Sequence, residues 1–179
     1  MLWDEEREKR LPPELVLQAA GTEPGATVLD VGAGTGYWTL PLSKLVGPEG
    51  RVMAVDVEPL MVDDLRRLVQ ERGLTNVEVV QSDELHIPLE DGIADVALLG
   101  FVLHEPPDPV AFLQEVARLL KPGGRVAILE WQKWETEVGP PIEHRISTDE
   151  ARDLLEAAGY RAEPISSPHE DVHAWLGIR

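Results

Sequence analysis

The stretch VLDVGAGTGYWTL, residues 28–40, combines three closely spaced glycines with an aspartate in an arrangement suited to holding a ligand. Gly32, Gly34 and Gly36 permit tight turning and let a bound molecule lie against bare main chain. An apolar run, a glycine turn and a helical pattern in this order predict a binding floor at the carboxyl end of a strand. In the dinucleotide fingerprint G-x-G-x-x-G the third glycine would stand at Tyr37, one position later than Gly36. A Walker loop would need a Lys after the glycines, and none follows here. The spacing therefore disfavours NAD and nucleoside triphosphates.

Carboxylates recur at the ends of three successive predicted strands. Asp30 belongs to the first, Asp56 ends the second and Asp83 follows the third. Each has a structural alternative, since Asp30 could cap the turn and Asp83 could begin the loop toward Ile87. Their joint placement beside the glycine turn favours a shared role in binding, because ligands of doubly wound sheets lie beyond the carboxyl ends of the strands.

Short β-branched runs alternate with helical patterns along the chain, which predicts an α/β fold with a doubly wound, mostly parallel sheet. The predicted strands are 27–31, 51–56, 77–82, 94–100 and 125–131. The predicted helices are 36–46, 58–72, 108–120 and 148–158. The segments YRAEPI and VHAWLGIR are expected to close the sheet as a C-terminal antiparallel hairpin.

Length and composition restrict the classes of protein. The 179 residues fit one domain, with residues 1–24 as an N-terminal arm and helix and residues 132–147 as a long connection expected to be a substrate lid. A net charge of −17 disfavours nucleic acid as a partner, and the absence of cysteine excludes disulfides and thiolate sites. The charged N-terminus and the shortness of the apolar run ADVALLGFVL lead us to expect a soluble, cytoplasmic protein without membrane insertion.

The string HEDVH, residues 169–173, formally fits the zinc motif H-E-x-x-H. That motif needs two histidines one helical turn apart, whereas this string follows Pro168 and runs into a predicted strand. We therefore predict no metal site.

Four segments together resemble class I S-adenosylmethionine-dependent methyltransferases: VLDVGAGTGYWT, VDVEP, QSDELHIPLEDGIADVALLGFVLHE and LKPGGRVAILEW. Their order and spacing match that family over about residues 25–160. The run LHEPPDPVAFLQEVARLLKPGG looks like the small-molecule branch that includes ubiquinone and menaquinone C-methyltransferases. The resemblance implies a Rossmann-like fold and S-adenosyl-L-methionine as cofactor. Its sulfonium, ammonium and hydroxyl groups, and its lack of phosphate, call for hydrogen-bond acceptors in the site.

The resemblance also assigns roles to individual residues. Asp30 would hold the glycine turn and help to receive the methionine ammonium, Asp56 would accept both ribose hydroxyls, and Asp83 would accept from the adenine amino group. The residues Val57, Glu84 and Leu85 would flank the adenine, and Gly100 would contribute main chain. The implied cofactor-binding set is Asp30, Gly32, Gly34, Gly36, Tyr37, Asp56, Val57, Asp83, Glu84, Leu85 and Gly100.

Three residues are candidates for catalysis on the acceptor. His104, just past the fourth strand, could act as a base, or it could only hydrogen-bond the backbone of its loop. His144 and Arg145 in the lid could orient an anionic acceptor, or they could form surface ion pairs. Glu130 could face the acceptor, while Trp131 and Trp134 could wall an apolar pocket or simply pack.

The leading functional hypothesis is methyl transfer to a small-molecule acceptor by in-line displacement, largely through alignment in a desolvated pocket. Two alternatives are an inactive S-adenosylmethionine-binding regulator and an NAD-dependent oxidoreductase. With little chain beyond the sheet, the acceptor must be covered by residues 1–24, by the lid or by a second subunit, so a homodimer is one expected arrangement.

Overall fold

A seven-stranded sheet organises the residues that the computed structural model describes, which are 11–136 and 138–179. The strands are β1 Thr27–Val31, β2 Arg51–Asp56, β3 Val77–Gln81, β4 Ala94–Gly100, β5 Leu120–Trp131, β6 Arg161–Pro164 and β7 Val172–Ile178. The α-helices are α1 Pro13–Ala19, α2 Thr39–Val46, α3 Pro59–Glu71, α4 Pro109–Leu119 and α5 Thr148–Ala157, and a short 3₁₀ helix spans Ile142–His144.

The strand order is β3-β2-β1-β4-β5-β7-β6. Strands β1 to β5 pair in parallel, whereas β7 pairs antiparallel with both β5 and β6. This arrangement confirms the predicted Rossmann-like α/β fold with its C-terminal antiparallel hairpin. The strand order reverses beside β1, and in open α/β sheets such a reversal leaves a crevice at the carboxyl ends of the strands.

Apolar residues on both faces of the sheet explain the near-continuous apolar runs in the strands. On β1, Val28 packs in the cluster that contains Leu17 of α1 and Leu42 of α2. Its neighbour Leu29 packs in the opposite cluster with Leu113 of α4. Because both faces are covered, parallel strands lose the polar alternation of a half-exposed sheet.

Helix boundaries follow local chemistry at several ends. Helix α5 begins with the expected capping box, in which Ser147 accepts from the Glu150 N–H and the Glu150 carboxylate accepts from the Ser147 N–H. Helix α2 begins at Thr39 rather than at the predicted residue 36, because Gly36 still has a positive φ of 88°. Strand β5 begins at Leu120, five residues before its predicted start, because Leu120 already pairs with Ala94.

The N-terminal part of the chain is described from residue 11 onward. Helix α1 lies within the predicted arm and helix of residues 1–24, and residues 1–10 of that prediction fall outside the described residues. Within the described part of the chain, no helix is both long and apolar enough to cross a bilayer.

Gly36→Ala should destabilise the fold more than Gly34→Ala. A Cβ at Gly36, where φ is 88°, would lie 2.7 Å from Leu65 Cδ1, whereas Gly34 has a φ of 52° and open space around its Cβ position. We expect losses of about 2–3 kcal/mol and about 1 kcal/mol in the free energy of unfolding. Urea denaturation of both variants tests this, and equal losses would show that the Leu65 contact contributes nothing.

Candidate functional site

The glycine turn after β1 is anchored on the end of β2. The N–H groups of Gly32 and Ala33 donate to the Val55 carbonyl at 2.8 and 2.9 Å. The Gly34 N–H donates to Asp56 Oδ2 at 2.7 Å. A phosphate-binding loop directs such N–H groups at its ligand, but here they are already paired with oxygens of β2. The turn is therefore poorly suited to holding a phosphate.

A cavity of about 320 Å³ opens over this turn, at the carboxyl ends of β1 to β4. Its lining consists of Val31, Gly32, Gly34, Thr35, Val55, Asp56, Val57, Glu58, Met61, Ser82, Asp83, Phe101, Val102, Glu105 and Phe112. Four of these residues carry carboxyl groups, and none of the described lining residues is Lys, Arg or His. Such a cavity favours a ligand with cationic or donor groups and repels a phosphate.

Five residues of the predicted cofactor set line this cavity together: Gly32, Gly34, Asp56, Val57 and Asp83. Asp56 uses one oxygen for the Gly34 N–H and the other for the Glu58 N–H, at 2.7 and 2.9 Å. A carboxylate has about four acceptor sites, so lone pairs remain on both oxygens for a ligand.

Three other predicted residues serve the packing of the fold. The Tyr37 side chain is buried and donates its hydroxyl to the Leu11 carbonyl at 2.8 Å, and its predicted contact with the cofactor stays a prediction. Gly100 does not line the cavity, and a Cβ there would collide with the Trp38 indole. Gly36 is likewise outside the lining, where its lack of a side chain leaves room for α3.

Glu84 and Leu85 lie outside the cavity lining and are exposed. Leu85 has 39% of its surface accessible. Their predicted contact with an adenine ring stays a prediction.

Asp30 lies in the interior beneath the glycine turn, fully buried and outside the cavity lining. Its Oδ2 accepts from the Thr39 hydroxyl at 2.5 Å, while its Oδ1 has no hydrogen-bond partner. Burial raises the pKa of Asp30 to about 7, against the lowering effect of Thr39 and with a further raising effect from the charge of Asp56. A buried carboxyl with an unpaired oxygen is suited to a cationic group of a ligand nearby.

The apolar wall of the cavity was missed by sequence reasoning. Phe101 follows β4 with a φ of 65°, a left-handed conformation that is uncommon outside glycine, and its ring stacks on Trp131 at 4.8 Å. No sequence pattern marks such a conformation. Glu58 and Glu105 were also not predicted to line the site, although both follow strand ends. The rule that identified Asp56, an acid at the end of a strand, was sufficient to find them.

A larger cleft of about 1030 Å³ adjoins this cavity at Glu105, which lines both. Its lining consists of His104, Glu105, Pro109, Lys133, Pro140, Glu143, His144, Arg145, Ile146, Glu150, Asp153 and Leu154. The structure therefore brings the three predicted catalytic residues, His104, His144 and Arg145, to one cleft.

His104 is paired with Glu130 at the end of β5. Its Nδ1 lies 2.8 Å from Glu130 Oε2, and its backbone N–H donates to Oε1 at 3.3 Å. Burial alone would lower the pKa of His104, but the hydrogen bond and negative charge of Glu130 outweigh it, so the net pKa is raised.

Arg145 organises the connection of residues 132–147. It is buried, and its guanidinium donates to the carbonyls of Pro140, Gln132, Trp134 and Val138 at 2.8, 3.0, 2.8 and 3.3 Å. Most of its donors are thus committed to main chain. These bonds hold the connection of residues 132–147 as one wall of the cleft, and the orientation of an anionic acceptor by Arg145 stays a prediction.

The other residues considered in this connection are more exposed. His144 lies in the 3₁₀ helix on the cleft wall, and Lys133 pairs with Glu150 at 3.0 Å. Trp134 has 48% of its surface accessible, and neither it nor Trp131 lines the cavity or the cleft. An apolar pocket walled by these tryptophans stays a prediction.

The histidines of the HEDVH string do not share a helical turn. His173 lies in β7, where its Nε2 is 2.9 Å from the Ile146 carbonyl. His169 precedes the strand and accepts from the Asp171 N–H at 3.1 Å. This geometry differs from that of the helical zinc motif.

Comparison with known proteins gives consistent matches. Residues 8–140 match the ubiE/COQ5 methyltransferase family. A solved SAM dependent methyltransferase from Aquifex aeolicus is 39% identical, with a TM-score of 0.94 over 98% of this chain and 93% of that one. A demethylmenaquinone methyltransferase from Lactococcus lactis is 37% identical over 114 residues, which are 64% of this chain and 45% of the relative. One from Staphylococcus aureus is 39% identical over 115 residues, 64% of this chain and 47% of the relative. The chain thus spans about half the length of these curated relatives.

Asp30→Asn should flatten the dependence of stability on pH. The folded pKa of Asp30, about 7, lies above its ordinary value of 3.8, so between these values the folded state holds a proton that the unfolded state has released. The contribution of Asp30 to the free energy of unfolding therefore falls as pH rises from about 4 to about 7, by up to about 4 kcal/mol. Urea denaturation of the wild type and of Asp30→Asn, from about pH 4 to about pH 7, measures this contribution.

Asp95→Asn is the matched control, because hydrogen bonds from Lys121 and Thr27 leave the pKa of Asp95 lowered despite its partial burial. Its removal should reduce stability above the ordinary carboxyl pKa. An unchanged pH dependence in Asp30→Asn would show that Asp30 is charged in the folded protein.

Proposed function

The chain belongs to the ubiE/COQ5 methyltransferase family, and on that premise we propose that it transfers a methyl group from S-adenosyl-L-methionine to a small-molecule acceptor. The observation that carries the proposal is the chemistry of the cavity over the glycine turn. Its carboxylates and its occupied turn N–H groups suit a cationic nucleoside without phosphate. The adjoining cleft provides room for an acceptor.

Different residues in and beneath the cavity would bind different groups of the cofactor. We assign the ribose hydroxyls to Asp56, whose oxygens keep free lone pairs, and the adenine amino group to Asp83. Val57, with 42% of its surface accessible, offers an apolar contact beside the adenine. The unpaired Oδ1 of Asp30 would attract the methionine ammonium, directly or through water.

Methyl transfer needs alignment more than covalent help from the protein. The sulfonium already carries an activated methyl group, so the chain has to hold donor and acceptor in line and exclude water. Glu105 stands where cavity and cleft meet, and burial together with the charges of Asp56 and Glu130 raises its pKa, despite an opposing effect from His104. The transferred methyl would pass close to this point.

The relatives favour an aromatic, quinone-related acceptor, since the curated proteins from two bacteria are demethylmenaquinone methyltransferases. Pro109, Ile146 and Leu154 give the cleft an apolar component that suits such a ring. The predicted lid role of 132–147, a cytoplasmic location and completion of the cleft by a second subunit are part of this proposal.

Calorimetry with S-adenosylhomocysteine tests the cofactor site. Asp56→Ala should weaken binding roughly 10- to 100-fold, because two hydrogen bonds to the sugar are lost. Glu90→Ala removes an exposed acidic side chain outside the cavity lining and should bind as the wild type does. NADH should give no binding heat, because its phosphates meet carboxylates and occupied N–H groups. Equal affinity in Asp56→Ala and wild type would contradict the assignment, as would tight binding of NADH. Turnover then separates an enzyme from an inactive cofactor-binding regulator.

A further inference from the structure

Glu130, at the carboxyl end of β5, carries a carboxyl group that is buried in the protein interior. Its side chain is only 1% exposed, and enclosing a carboxylate is costly unless a partner compensates its charge. The structure supplies two hydrogen bonds from a single residue, the Nδ1 and backbone N–H of His104, at 2.8 and 3.3 Å. Glu130 thus fixes both the ring and the main chain of His104.

The second imidazole near Glu130 does not play the same part. His173 is the cross-strand neighbour of Glu130 in the pairing of β5 with β7. Its Nε2 lies 2.9 Å from the Ile146 carbonyl, and burial lowers its pKa against the raising effects of that bond and of Glu130. The pKa of His173 is thus lowered and that of His104 raised, so His104 is the imidazole that Glu130 stabilises as a cation.

The hydrogen bond between His104 and Glu130 determines which ring nitrogen of His104 carries the proton. Because an ionised carboxylate only accepts hydrogen bonds, the proton between the two groups lies on Nδ1 of His104. The remaining nitrogen, Nε2, then carries a lone pair. His104 lines the cleft beside Glu105, where the cleft meets the cofactor cavity.

We infer that His104 is the general base of the reaction and that Glu130 is its positioning residue, the pair taking the proton from an ionisable O–H group of the methyl acceptor. The inference rests on the proposed methyltransferase function. It also narrows the acceptor to a molecule with a phenol-like hydroxyl, such as the reduced, quinol form of a quinone.

The proton and electron balance is complete without another reactant. The O–H proton moves to Nε2 of His104, and its bonding electrons make the oxygen, or a ring carbon conjugated with it, nucleophilic. That atom forms the bond to the methyl group while the sulfur–methyl bond breaks, leaving its electrons on a neutral thioether. If a ring carbon is methylated, the proton on that carbon then moves to the oxygen and restores the hydroxyl. One proton remains on His104 and is released to water.

The charges around His104 set the expected pH dependence. Glu130 from β5 and Glu105 from the same loop raise its pKa, while burial and Arg145 of the lid lower it, with a raised pKa as the net result. Protonated His104 cannot accept a proton, so activity should fall on the acid side of this raised pKa. Removing the charge of Glu130 should move that acid limb to lower pH and also weaken the base.

The experiment measures methyl transfer from labelled S-adenosylmethionine to a short-chain demethylmenaquinone, supplied as its dithionite-reduced quinol or in oxidised form, from about pH 5 to about pH 10. We expect His104→Gln to lower kcat by roughly 100-fold or more near neutral pH. Its activity should recover at alkaline pH, where the acceptor hydroxyl ionises by itself.

Glu130→Gln keeps an oxygen for the Nδ1 proton, and it should lower kcat roughly tenfold and shift the acid limb of kcat/KM to lower pH. The exposed His86→Gln is the control and should match wild type. The oxidised acceptor, which has no such hydroxyl, should not react.

Each negative result of these experiments would contradict a different claim. Wild type that does not bind S-adenosylhomocysteine overturns the proposed function itself. Wild type that binds it but leaves the quinol unmethylated, or variants with wild-type rates and pH profiles, overturn the His104–Glu130 inference and leave cofactor binding intact. Should Glu130→Gln not fold, ¹⁵N NMR of wild-type histidines decides. The inference requires His104 to carry its proton on Nδ1 and to titrate above the ordinary histidine range, and a ring protonated on Nε2 overturns it.

Discussion

The bond between the Gly34 N–H and the Asp56 carboxylate, 2.7 Å long, joins the ends of the two strands on which the site depends. Together with the two N–H groups given to the Val55 carbonyl, it fixes the glycine turn of β1 on β2. The turn thereby loses the free donors that would hold a phosphate, and the cavity above it keeps carboxylate oxygens with spare lone pairs. A single local arrangement thus favours a phosphate-free ligand with donor groups.

The strand order extends this local arrangement to the whole site. Since β4 and β5 follow β1 in the sheet, their carboxyl ends place Glu105 and Glu130 on the same edge as Asp56. The cofactor cavity and the cleft meet at Glu105, so donor and acceptor would approach one another there. Arg145 completes one wall of the cleft by donating to four main-chain carbonyls, those of Gln132, Trp134, Val138 and Pro140.

Much of the sheet was predictable, because strands buried on both faces leave uninterrupted β-branched runs and acids at strand ends stand out against them. Relations between distant segments were not predictable. Sequence spacing does not show that Tyr37 would reach back to Leu11, or that Phe101 would adopt a left-handed conformation. His104 and Glu130 were both noticed singly, yet they lie 26 residues apart, and only the pairing of β4 with β5 brings them together.

A crystal structure with S-adenosylhomocysteine bound is the most direct measurement of the central claim. We expect the nucleoside over the glycine turn, with the ribose hydroxyls within hydrogen-bond distance of the Asp56 oxygens and the Gly34 N–H still donating to that carboxylate. A nucleoside bound elsewhere, or a turn whose N–H groups leave β2 to contact the ligand, would contradict it.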